Sequence, residues 1–233
     1  MLTSHYKLSV LYTEGLGSGD AADIINLTKK HIQFSDYSFT KIEFPPQFRK
    51  FVSYLKPPHV VHCESKGDGL LSYFESQRKE NELISILTEN PITQMELGLE
   101  GGMYPSFSLG YAGPNKLWFD TIEPGGVAVS STAGMGEKCK ERTAGTLLYG
   151  LGSLFLLEGS CKNEKCFMGG LPAKPLFDVS RFTHFYPHLD KEKGFCEDCK
   201  QKLNIMIRKR EKKQIFYQQE IKQIMQGLMV PTK

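Results

Sequence analysis

Four cysteines in two close pairs constrain this chain more than any other feature. Cys161 and Cys166 lie in GSCKNEKCFM, and Cys196 and Cys199 lie in FCEDC. Thiolates bind Zn²⁺ tetrahedrally, so two pairs at these spacings can surround one ion. The competing use of cysteine is the disulfide. The N-terminal MLTSHYKLSVLYTEG lacks a charged segment followed by a long apolar one, so it does not read as a secretory signal. No apolar run reaches the length of a membrane span. A cytoplasmic protein is therefore expected, in which thiols stay reduced and clusters favour metal. Cys161, Cys166, Cys196 and Cys199 are read as the ligands of one structural zinc. Cys63 and Cys139 are left over and read as buried free thiols.

The rest of the chain is expected to supply an α/β body. KLSVLY (Lys7–Tyr12) alternates and reads as a first strand. Asp20 can cap a helix to about Gln33. Phe39–Phe44 and Val60–Cys63 read as strands, and Gln47–Leu55 as a helical turn between prolines. Glu75–Glu89 reads as an amphipathic helix with Leu83, Ile84, Ile86 and Leu87 on its apolar side. Met95–Leu99, Phe107–Ala112 and Val127–Ser131 read as further strands. An apolar helix over Glu137–Leu157 leads into the first thiol pair, with Leu147, Leu151 and Leu154 on one face. A last helix is expected over Glu197–Gln226. Alternation of helix and strand argues for a sheet with packed helices rather than a bundle.

The order of a helix, then Cys-x4-Cys-x-Met, then Cys-x2-Cys before a final helix resembles the archaemetzincins, a branch of the metzincin zinc proteases. FSLGYAG (Phe107–Gly113) is similar to that family's edge-strand segment. VAVSS (Val127–Ser131) is similar to the strand before its active-site helix. SQRKENELISIL (Ser76–Leu87) is similar to the helix of its N-terminal half. The resemblance implies a twisted mixed β-sheet with packed helices, a four-cysteine zinc site and a long C-terminal helix. The division it suggests is an α/β domain over 1–160 and a zinc-bound subdomain with a basic helix over 161–233.

The same resemblance exposes a departure. Counted back from Cys161, the family's three histidine ligands fall on Gly150, Leu154 and Ser160, and its general base on Leu151. Zinc hydrolysis needs three ligands, an open position for water and a base to take that water's proton. Gly and Leu cannot ligate, and no histidine lies between His62 and His184. The expectation is a pseudoenzyme with no catalytic residues. Met168, the floor of the catalytic zinc in the family, is then core.

Charge is distributed unevenly. Residues 191–233 carry eleven Lys and Arg against five Asp and Glu, a net +6, which leaves −3 for residues 1–190 of a chain that is +3 overall. Lys200, Lys202, Arg208, Lys209, Arg210, Lys212 and Lys213 crowd one stretch with only Glu211 opposing, beside an apolar stripe of Leu203, Met206, Ile207, Tyr217, Ile221 and Ile224. Such a run serves either as a solvated helix face or as a phosphate-contacting surface. On the second reading those seven cations bind RNA, and the partner is the ribosome or its RNA. The chain is in this respect also similar to the ribosome-bound dormancy factors of microsporidia, which implies occupation of a tRNA site on idle ribosomes. Two alternatives stand beside this. One is a metal-dependent peptidase with a rebuilt site using His184, His188 and Glu158. The other is a scaffold that binds protein through the emptied cleft, where Leu151 and Leu154 would present apolar surface. His59 and His62 read as solvent-facing or hydrogen-bonded, and the tail Gly227–Lys233 could dock on the core or on a partner.

Overall fold

A computed structural model describes residues 1–51, 59–62, 69–97, 103–108, 110–113, 116–118, 121–123, 126–133, 135–155, 161–163, 166–168 and 194–228. Strands β1 (Leu2–Tyr12), β2 (Ile32–Lys41), β5 (Glu82–Thr88), β11 (Val127–Ser131) and β8 (Gly110–Gly113) form a sheet in the order β2-β1-β5-β11-β8. The first four run parallel, and β8 closes the edge antiparallel to β11. A second sheet joins β3 (Arg49–Phe51), β4 (His59–His62), β6 (Ile92–Leu97) and β7 (Met103–Ser108), and β9 (Lys116–Trp118) pairs with β10 (Thr121–Glu123). The helices are α1 (Ser18–Lys29), α2 (Leu70–Gln77), α3 (Cys139–Leu154) and α4 (Glu197–Leu228). Among the described residues no helix is long and apolar enough to cross a membrane.

The sheet is buried on both faces, so its central strands carry apolar side chains in both directions. On one face Tyr6, Leu8, Val10, Leu83 and Leu87 meet Ile24 and Ile25 of α1, Leu147, Leu151 and Leu154 of α3, and Leu203 and Ile207 of α4. On the other, Ile84, Ile86, Val127 and Val129 meet Leu70, Leu71 and Phe74 of α2, with Phe44 and Phe48. The described residues thus form three layers about this sheet, and Cys166, Met168, Phe195, Cys199, Leu203 and Ile207 share the first of these two cores.

Burial on both faces corrects the helix expected over Glu75–Glu89. Only its start is helical: α2 begins earlier and ends at Gln77, and Glu82–Thr88 is a central strand paired with β1 and β11. Leu83 and Leu87 face one core while Ile84 and Ile86 face the other. Asn81 makes the turn between them in the left-handed region, at φ 59°. The half-buried pair Arg78–Glu75 (2.7 Å) braces that turn: Arg78 donates to Glu82 O at 3.0 Å, and Gly126 N donates to Glu75 at 2.6 Å.

Other boundaries shift for similar reasons. The first helix stops at Lys29, because Ile32 and Phe34 are core residues of a ten-residue strand rather than a helix end. Asp20 caps nothing; Gly17 takes the N-cap, and Asp20 instead pairs with Lys140 of α3 at 2.8 Å. The expected helical turn at Gln47–Leu55 is a short 3-10 turn at Pro46–Phe48 followed by β3, with 52–58 outside the described residues. Phe107–Ala112 divides between β7 and β8, which belong to different sheets.

Candidate metal centre

The helix α3 ends at Leu154, and Phe155 packs fully buried just beyond it. The first thiol pair follows in a tight turn. Cys161 N donates to Met168 O at 2.8 Å and Cys166 N to Asn163 O at 2.9 Å. The second pair is brought alongside by a bridge between Cys166 and Gly194, and Phe167 N donates to Gly194 O at 3.1 Å. Cys199 lies in the first turn of α4, where Lys200 N donates to Cys196 O at 2.9 Å.

The four expected ligands converge. The sulfurs of Cys161, Cys166, Cys196 and Cys199 all lie within 4.8 Å of one another, and Cys161 Sγ is 3.5 Å from Cys196 Sγ. Zinc–sulfur bonds of about 2.3 Å in a tetrahedron set sulfur–sulfur edges of roughly 3.8 Å, so the cluster has the dimensions such an ion requires. Backbone amides already point at the sulfurs: Cys196 N donates to Cys166 Sγ at 3.3 Å and Asn163 N to Cys161 Sγ at 3.4 Å. Those donors stabilise thiolate.

Four thiols this close cannot all ionise without a cation among them. Burial pushes the Cys166 and Cys199 thiols up, whereas at Cys196 burial is outweighed by hydrogen bonds from Cys199 N and the neighbouring thiols, which hold it down. A divalent ion removes that conflict. An ion held by these four sulfurs would have no open position for water or substrate, which is the character of a structural rather than a catalytic site.

Aromatic packing seats this knuckle on the body. Phe195 and Met168 are buried in the first core, as expected for Met168. The His31 ring meets Phe167 edge-on at 4.8 Å and Phe195 at 6.5 Å. Burial, then the charges of Lys30, Lys200 and the N-terminus, hold the His31 imidazole below its ordinary pKa. No local pattern in the sequence marks His31 for this role; it is a lone histidine at a helix exit.

The seven cations of the basic stretch divide. Lys202, Arg208, Lys209 and Lys212 are exposed on one side of α4, together with Ile205 at 53% exposure. Lys200 is also exposed and pairs with Glu197 at 3.4 Å. Lys213 follows on the helix, and its side chain is outside the described residues. Arg210 does not belong with them. It faces inward, donating to Leu154 O at 2.6 Å and lying over the rings of Tyr6 and Phe155, with centroid distances of 5.2 and 5.7 Å. Its guanidinium thereby meets the carbonyl end of α3, where the helix dipole favours a cation. Glu211 is engaged as well, accepting from His5 N at 2.8 Å and Ser4 Oγ at 3.3 Å. The phosphate-contacting set is corrected by removing Arg210, whose place is set by Tyr6 and Phe155, far away in sequence.

At the positions that the archaemetzincin pattern gives to catalysis, Gly150, Leu151 and Leu154 are buried in the first core. Leu151 and Leu154 therefore do not present the apolar surface expected of an emptied cleft. Ser160, Glu158, His184, His188, Cys63 and the tail 229–233 lie outside the described residues. Cys139 is a free thiol, partly exposed at the start of α3 rather than buried.

Fold and cluster together define an α/β protein with four cysteines placed where they could hold a metal ion. No family profile and no curated protein matches the chain. Among solved structures it is similar to archaemetzincin (AmzA) from Archaeoglobus fulgidus, complexed with malonate. The TM-score is 0.50 at 14% identity, over 84% of this chain and 99% of that one. At that identity the likeness is one of fold.

Proposed function

We propose that this chain is a non-catalytic zinc-binding protein on an archaemetzincin-like fold, and that it binds the ribosome or its RNA as a dormancy-type factor occupying a tRNA site. The observation that carries the partner class is the outward side of α4. Between Lys202 and Lys212 it presents four cations and no acid, because Glu211 is turned onto β1. Clustered Lys and Arg bind nucleic acid by releasing its counterions, without reading sequence. Zinc is the ion of choice for four reduced thiols in a closed tetrahedral site. Cys199 would fix the base of α4, so the cations are held out from a rigid helix rather than a loose tail.

Loss of peptidase chemistry is inferred from Gly150, Leu151, Leu154 and Ser160 at the positions where the family pattern places ligands and base. Tagged protein in cell lysate is the test. It should co-migrate with ribosomes on a sucrose gradient and be released by nuclease. Sedimentation as free protein, or as a nuclease-resistant complex, would replace RNA with a protein partner or none. Metal analysis of the pure chain should find one zinc; two would favour a rebuilt catalytic site.

A further inference from the structure

The buried side of α4 runs through Cys199, Leu203 and Ile207, with Arg210 on its flank. The opposite side is therefore fixed, and Ile205 sits at its middle, three residues from Lys202 and from Arg208 and four from Lys209. At 3.6 residues per turn, Lys202 and Lys209 fall on one flank of Ile205 and Arg208 and Lys212 on the other. The first flank spaces its charges about 10 Å apart along the axis and the second about 6 Å. Two files of cations thus run along a helix with an apolar side chain between them. Lys200 lies off this face, toward the knuckle side, paired with Glu197.

A ligand that complements this pattern has two anionic rails separated by a floor of low charge. A single strand offers one rail. An anionic membrane offers a plane, and interfacial helices reach it with a broad apolar face of Trp, Phe and Leu, not one isoleucine. A double helix offers two phosphate strands with a groove between. In A-form RNA the minor groove is wide and shallow and is floored by riboses, whereas the major groove is too narrow for a side-chain face. We propose that the outward face of α4 binds double-helical RNA by straddling its minor groove, with Lys202 and Lys209 on one phosphate strand, Arg208 and Lys212 on the other, and Ile205 against the riboses between. This rests on the RNA-binding reading above and narrows it from RNA in general to duplex RNA.

The test is fluorescence anisotropy with the full zinc-loaded chain at one salt concentration. The probes are an RNA duplex of about 16 base pairs, one of its single strands, and a DNA duplex of the same sequence. The duplex RNA should bind roughly tenfold or more tighter than either other probe. Ile205→Glu should weaken duplex binding about tenfold, while Lys138→Glu, at an exposed cation by the start of α3, stays within about twofold. Both positions are exposed, and circular dichroism with metal content confirms that the variants fold. Equal or tighter binding to the single strand overturns the duplex inference and leaves the RNA reading standing. Unchanged duplex affinity in Ile205→Glu overturns the two-file geometry. Failure to bind any of the three probes overturns both readings, as does preference for phosphatidylserine vesicles over all of them.

Discussion

Arg210 and Arg208 are two residues apart and have opposite roles. Arg208 is exposed, whereas Arg210 joins the end of α3 to the N-terminal strand through Leu154 O, Tyr6 and Phe155. Removing a buried hydrogen-bond donor and a cation over two rings costs about 2 kcal/mol. Arg210→Ala should therefore lower the melting temperature by roughly 4–8 °C, with Arg208→Ala nearly neutral. Thermal denaturation of the two variants checks this directly. His31 gives a pH prediction. Its folded pKa lies below the ordinary value of 6.5, so the unfolded chain binds the proton more readily. Its contribution to stability is intact above that value and is lost as pH falls below it. His31→Phe keeps a ring against Phe167 and Phe195 and cannot protonate. The wild type should lose more melting temperature than His31→Phe between neutral and mildly acidic pH; equal losses would remove His31 from the account.

Among the elements, the four-cysteine cluster was the most legible in the sequence, because ligand chemistry is carried by the residue types themselves. Two short cysteine spacings are enough to place four sulfurs, and all four meet. Val127–Ser131 was legible for a related reason: five residues with no competing periodicity. Glu82–Thr88 was not. Leu83, Ile84, Ile86 and Leu87 satisfy a helical stripe and a doubly buried strand equally well, and only the two packed cores decide between them. Arg210 was illegible because the phase of a charge on a helix is set by the surface that the helix packs on. Cys196→Ser should release the metal and lower the melting temperature strongly, since binding of this kind is folding free energy. Elemental analysis that finds unchanged metal in that variant would refute the four-cysteine assignment.

At the scale of the molecule, charge and packing are separated within one body. The first core takes in β1, α1, α3, the knuckle and the inner side of α4, so the basic helix is presented by the whole first layer. Of the positions that the archaemetzincin pattern gives to metal and base, Gly150, Leu151 and Leu154 are buried, and pure protein is expected to show no chelator-sensitive cleavage of a peptide library. The proposed RNA contact is the outward side of α4. Four phosphate contacts there predict a log–log slope of affinity against salt of roughly −3 to −3.5 for duplex or single-stranded RNA. The most direct measurement is that slope for the wild type beside the variant Arg208→Glu, Lys209→Glu, Lys212→Glu. The account predicts that the variant loses most of its affinity for all RNA sequences alike and retains a slope near −1 or flatter, with its fold and metal intact. A variant that binds RNA as tightly as wild type, with the same slope, would show that α4 is only a solvated face.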